Sequence, residues 1–306
     1  YMLKNILVLI LVSNYIFAFD YNLKATKVSS DIWCFFGKLE APSKENGGYM
    51  SNSCYINTKD SYTLIDSGVG YDFAKQAYEI MVKIENLPVK NIIITHSHDD
   101  HWLGNSFYKE KFNATIYGPK SINKEFNATS QIRGLNILSN EDKIKTKFVP
   151  IDKVINETTT LKIGNKEINI IPTGLKAHTS DDLFVYLPNE KVLFSGDLVM
   201  NGRVTSNRDG SIIGAFKAIE MINSKKWDIL IPGHGIDTSK TATDEIVKYF
   251  MLLKQRVMEA IENEITGNEI TKVVTMEEFK NKALYDELNS RNVYDAYREL
   301  EFYEEN

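Results

Sequence analysis

Cysteine is nearly absent: Cys34 and Cys54 are the whole complement of a 306-residue chain. Two thiols cannot staple a small disulfide scaffold, nor build the four-cysteine cage of a structural zinc knot. Charge of one sign is lacking too. The formal net charge is −5 with no basic stripe, so a nucleic-acid partner is not expected. No apolar run reaches the roughly 20 residues of a spanning helix; the run from Ile6 to Val12 stops short at Asn14. Histidine is scarce as well, at five residues, and this scarcity makes the placement of each one informative.

What is present describes a folded protein. Hydrophobic residues make up 43% and charged residues 25%, enough for a sizeable core in one main domain with extensions. Lys4, the apolar run and Ile16-Phe17-Ala18 read as a signal peptide over 1–18. This predicts a periplasmic or secreted protein with no stable membrane insertion after cleavage. In such a compartment Cys34 and Cys54 either pair or remain two buried thiols, and both readings stay open.

Alternating β-branched and aromatic residues predict strands over 31–37, 49–57, 61–66 and 89–95, with a helix over 73–84. A second strand-rich half follows, with strands over 167–171, 183–187, 191–194 and 227–231 and a helix over 212–222. Beyond residue 241 a helical period runs through Ile246, Phe250, Leu253, Val257 and Ile261 to Gly267, and shorter helices are expected over 276–284 and 293–302. This tail has no histidine or cysteine and reads as a packing extension. The loop over 38–48 is either a flap over a site or an ordinary connection.

The chemistry concentrates in Thr95-His96-Ser97-His98-Asp99-Asp100-His101, an H-x-H-x-D-H pattern that follows a strand and opens a helix. In extended backbone, residues two apart point the same way, so His96 and His98 can share one cation. The turn into the helix redirects Asp100 and His101 towards a second. His178, His234 and Asp197 each follow a predicted strand, and Gly196 and Gly233 allow close backbone approach. Imidazole and carboxylate donors suit zinc.

These segments, with Leu64-Ile65-Asp66-Ser67-Gly68, Ala177-His178-Thr179 and Pro232-Gly233-His234-Gly235, resemble the ordered motifs of the metallo-β-lactamase superfamily across residues 30 to 240. The resemblance implies a four-layer αββα sandwich over 24–240 with a C-terminal helical extension over 241–306. It implies two zinc ions: His96, His98 and His178 on one, Asp100, His101 and His234 on the other, and Asp197 bridging. Asp66 would orient ligands from behind. Asp100 would orient the attacking water, whose pKa the metals lower so that it attacks the carbonyl of a small-molecule substrate.

Departures narrow the class. The cysteine-containing lactamases carry Cys, Lys and Arg where this chain has Asp197, Met200 and His101. Asp197 with His101 is similar to the arrangement of hydroxyacylglutathione hydrolases. Asn46-Gly47-Gly48 and Arg208-Asp209-Gly210 resemble periplasmic metallohydrolases of sulfur oxidation and quinoprotein systems. A thioester or sulfur-conjugate hydrolase is therefore the preferred reading. The alternatives are lactam hydrolysis with Arg203 as the replacement cation, a one-iron persulfide dioxygenase using His96, His178 and Asp197, and a zinc-carrying protein.

Overall fold

The computed structural model describes residues 19–126 and 132–303. Its first sheet contains β1 (Thr26–Ser29), β2 (Ile32–Phe35), β3 (Ser53–Asn57), β4 (Tyr62–Ile65), β5 (Val89–Ile93), β6 (Thr115–Gly118) and β7 (Lys153–Val154), arranged in sequence order. Pairing is antiparallel from β1 to β4 and parallel from β4 onward. Parallel neighbours need crossovers, here supplied by α1 (Tyr71–Ile84) and α2 (Asn105–Phe112). The connection from β6 to β7 carries α3 (Lys120–Glu125) and α4 (Asn140–Lys145).

The second sheet contains β8 (Thr159–Ile163), β9 (Lys166–Pro172), β10 (Leu183–Leu187), β11 (Val192–Met200) and β12 (Ile229–His234). Its strands run antiparallel until β11 and β12, which are parallel and joined through α5 (Ile212–Asn223). The chain ends in α6 (Asp244–Glu262), α7 (Ile270–Val273) and α8 (Tyr285–Leu300).

Period-two alternation divides the strands between layers. In β3, Cys54 and Ile56 join Ile65 and Ile93 in a core shared with Ile168, Ile170, Val185 and Phe194 of the other sheet. Tyr55 points the opposite way, into a cluster with Phe73, Ala77 and Met81 of α1. On the far side, Leu193 and Leu230 pack with Ile212, Ile219 and Ile222 of α5. Helix, sheet, sheet and helix follow in order, the expected αββα sandwich. The helices of the C-terminal extension complete the outer layer: Ile246, Phe250, Leu253 and Val257 of α6 and Val293, Ala296 and Leu300 of α8 share the α5 cluster. Truncating one such fully buried side chain, Leu253, to alanine is expected to cost about 2–5 kcal/mol.

Cys34 and Cys54 are direct cross-strand partners on β2 and β3 and form a disulfide, which selects one of the two readings the sequence left open. The helix expected over 276–284 is absent. Glu277–Phe279 makes one 3₁₀ turn, which sends Met276 and Phe279 into the core, and Ala283 then pairs with Arg203 instead of continuing a helix. The last helix starts at Tyr285, well before the expected 293. Strand β11 passes beyond residue 194, because Gly196, at φ 52°, bulges it without ending it. Strand β12 likewise runs through Pro232 to His234. It is an edge strand, where a missing N–H is tolerated. The leader expected over 1–18 lies outside the described residues. Among the described residues no helix is long and apolar enough to cross a membrane.

Candidate metal centre

Asp66, the 96–101 segment and His234 lie at or just past the carboxyl ends of β4, β5 and β12, Asp197 follows the Gly196 bulge within β11, and His178 lies in the connection from β9 to β10. The carboxyl ends of parallel strands open onto a common crevice, the usual place for a site in such sheets. The structure brings all seven expected ligand residues together. Donor atoms of His96, His98, His178 and Asp197 lie within 4.8 Å of one another, as do those of Asp100, His101 and His234.

Asp197 is grouped with the first set and also faces the second. Its Oδ2 is 3.2 Å from Nε2 of His178, 3.2 Å from Nε2 of His234 and 3.6 Å from Nε2 of His96. Its Oδ1 is 3.2 Å from Nε2 of His101. Oδ2 of Asp100 lies 3.6 Å from Nε2 of His101 and 3.5 Å from Nε2 of His234. Burial alone would favour a neutral Asp197, but His234, His101 and His96 hold its carboxyl well below the usual carboxylate range.

Nε2 of His96, Nε2 of His101 and Oδ1 of Asp197 are buried without a hydrogen-bond partner. Leaving such atoms unpaired costs about 1–3 kcal/mol each. Three of them converging in an all-nitrogen-and-oxygen donor set fit divalent metal ions.

Behind the centre, contacts fix how the rings point. Oδ2 of Asp66 is 2.8 Å from Nδ1 of His101 and accepts the Thr95 hydroxyl at 2.8 Å, while its Oδ1 accepts the Thr95 amide at 2.8 Å. Nδ1 of His96 lies 3.0 Å from the Thr95 hydroxyl, and Nδ1 of His234 lies 2.8 Å from the Met50 carbonyl. His98 is turned the other way: its Nδ1 is 2.9 Å from Nε2 of His178, and its Nε2 is 3.0 Å from Oδ2 of Asp209. The His98 hydrogen bond holds the Asp209 carboxyl far below its ordinary range.

In the sequence Asp209 stands out only within the Arg208-Asp209-Gly210 resemblance, which assigns it no role. Nothing in the sequence singles out Asn52. That side chain donates to the carbonyls of Pro232 and Gly235, each at 2.8 Å, and clamps the turn that carries His234. Glycine is required at two points. A Cβ on Gly233 would stand 1.9 Å from Oδ1 of Asp197, and one on Gly196 would stand 2.6 Å from the Thr95 side chain. The glycines beside Asp197 and His234 thus let the two strand ends approach each other.

The centre opens into a cavity of about 750 Å³. Ala41, Pro42 and Gly48 place the 38–48 loop in its wall, and Asn46 braces that loop by accepting from the amides of Ser43 and Gly48. Met200 is buried, and the nearby cation is Arg203, whose guanidinium lies 3.3 Å from Nδ1 of His234. Leu284, Glu287 and Leu288 also line the cavity, so the C-terminal extension does more than pack.

The profile of the Metallo-beta-lactamase superfamily matches residues 46–234, more than half of the chain. The chain is 27% identical over 154 residues to a metallo-beta-lactamase type 2 of Elizabethkingia meningoseptica, covering 50% of this chain and about half, 54%, of that protein. It is 28% identical to a metallo-beta-lactamase type 2 of Bacillus cereus, covering 60% of this chain and 67% of that one. Among solved structures, a metallo-beta-lactamase from Pontibacter korlensis superposes with a TM-score of 0.60 at 22% identity, over 75% of this chain and 99% of its own.

Proposed function

Because the chain belongs to the metallo-beta-lactamase superfamily of metal-dependent hydrolases, we propose that it is a two-zinc acyl hydrolase acting on a thioester or sulfur conjugate. One observation carries this reading: the Asp197 carboxylate stands between two groups of imidazoles, beside three buried atoms that lack partners. His96, His98 and His178 would hold one zinc, Asp100, His101 and His234 the other, and Asp197 would serve both. Zinc held there would supply a water nucleophilic near neutral pH and an electrophile for the substrate carbonyl.

The remaining steps belong to the chain. Asp100, partly exposed at the cavity floor, orients the attacking water and takes up its proton. Asp66 and Asp209 hold His101 and His98 in line. Arg203 pairs with a carboxylate on the substrate. A thiolate leaving group departs without a proton, so the site needs no separate acid. The thioester preference is supported by Asp197 and His101 standing where the cysteine-containing lactamases carry Cys and Arg. The resemblance to periplasmic sulfur-oxidation and quinoprotein-associated metallohydrolases points the same way, and the leader-like segment over 1–18 suits such a compartment.

Lactam hydrolysis is the second reading, supported by the names of the relatives and by Arg203 beside His234. A one-iron site on His96, His178 and Asp197 is supported less well, since it would leave Nε2 of His101 buried and unpaired. The test is metal analysis followed by a panel of thioesters and lactams on the zinc-loaded protein. Two zinc ions per chain with thioester turnover is the expected result. Turnover of lactams alone replaces the substrate assignment, and one iron with oxygen consumption overturns the hydrolase.

A further inference from the structure

Among the described residues, neither the hollow along α6 nor the one between α6 and the 273–278 segment contains a cluster of metal-binding donor atoms. The segment over 283–288 is different, because it reaches the metal cavity from beyond the part of the chain that matches the family. That match ends at residue 234, yet Leu284, Glu287 and Leu288 line the same cavity as His98, Asp100, Asp197 and His234.

Ala283 of the segment, and Asn292 and Glu299 farther along the helix that it opens, fasten it to the site. The Ala283 amide donates to the Gly202 carbonyl at 3.3 Å, and the Val204 amide donates to the Ala283 carbonyl at 2.8 Å, so the two bonds straddle Arg203. Asn292, fully buried, donates to the Thr205 carbonyl at 2.6 Å and accepts from the Asn207 amide at 3.1 Å. Glu299 accepts from the Ser211 hydroxyl at 2.6 Å and from the Ile212 amide at 2.8 Å. The loop that carries Arg203, Arg208 and Asp209 and the start of α8 therefore form one rigid wall.

The chemistry of that wall is ordered. Leu284 and Leu288 lie one helical turn apart, joined by the hydrogen bond from the Leu288 amide to the Leu284 carbonyl, and both are half-buried in the cavity wall. Arg203 stands against His234 and pairs with Ala283, the residue before Leu284, and the exposed Glu287 adds a negative charge to the same lining. A substrate with its carboxylate at Arg203 would lay its next substituent along the two leucines.

We propose that residues 283–288 are a substrate-selecting wall that takes an apolar, distally neutral or cationic substituent of a carboxylate-bearing acyl substrate. The proposal rests on the hydrolase reading for the acyl bond, though not on its leaving group. Burying each added methylene on Leu284 and Leu288 should tighten binding about threefold. A distal anion should be disfavoured by Glu287.

The test uses the full zinc-loaded protein and 2-mercaptoalkanoic acids with side chains from methyl to hexyl, measured by calorimetry, so that binding is read without turnover. The expected result is a Kd that falls about threefold per methylene. In a Leu284→Ala, Leu288→Ala double variant that gain should shrink to less than half. Glu287→Lys should tighten a 2-mercapto dicarboxylic acid about tenfold more than it changes the alkyl acid of the same length. A flat series in the unaltered protein, an equal slope in the double variant, or no charge effect at residue 287 each overturns the proposal. Should the double variant fail to fold, Glu287→Lys, an exposed change, decides alone. A normal series without hydrolysis of any thioester or lactam overturns the hydrolase reading and leaves the wall standing.

Discussion

Oδ2 of Asp209 lies 3.0 Å from Nε2 of His98 across 111 residues of sequence, and this contact turns Nδ1 of His98 inward. Asp209→Asn removes the charge that holds the ring. If His96, His98 and His178 share one zinc, as proposed, binding of that ion is expected to weaken about 10–100-fold. Chelator competition would read this as loss of one zinc with the other retained, and equal loss of both would contradict it.

Asp66→Asn should act on the opposite side. His101 loses the carboxylate at its Nδ1, so the cation shared with Asp100 and His234 should weaken by the same about 10–100-fold. The two variants form a pair. Asp209→Asn should spare the His101 side, whereas Asp66→Asn, which also frees the Thr95 hydroxyl at His96, should weaken the His101 side more than the other. Spectra of cobalt-substituted protein would show which site empties first.

Gly233→Ala drives a methyl group to within 1.9 Å of Oδ1 of Asp197. The carboxylate or the β12 strand end must move, at a cost of about 1–3 kcal/mol typical of overpacking. Both zinc stoichiometry and thermal midpoint should fall. A variant that binds two zinc ions at normal affinity would show that Asp197 does not serve both metals.

The disulfide between Cys34 and Cys54 closes a loop with a sequence separation of 20 in the core between the sheets. A loop of this length contributes about 3 kcal/mol through the unfolded state. Reduction should therefore lower the denaturant midpoint without changing zinc content. Unchanged stability after complete reduction would refute the contribution.

Hydrogen bonds from Arg256 hold the Glu278 carboxyl at about 2, below its ordinary 4.5. A depressed carboxylate stabilises the fold above its unfolded pKa, and that contribution fades as pH falls from about 4.5 through about 2. The pair is partly exposed, so the effect is small. Glu278→Gln should lower the melting temperature slightly at pH 7 and progressively less as pH falls from about 4.5 towards about 2.

The H-x-H-x-D-H segment declared the metal chemistry before any fold was known, since spacing over a few residues controls where side chains point. Asp197, His178 and His234 could be added because each follows a predicted strand, and the sandwich came from the resemblance to the metallo-β-lactamase superfamily rather than from the strand pattern alone. The short strands β1, β6 and β8 escaped notice, because four or five residues carry too little periodicity to stand out. Residues 276–284 carried helix-forming residues, but the backbone of Ala283 bonds instead to Gly202 and Val204. Asp209 at His98, Asn52 at the His234 turn and Leu284 in the cavity wall were invisible for the same reason. Each meets its partner across many tens of residues or more, where packing of whole layers, rather than local spacing, brings the atoms together.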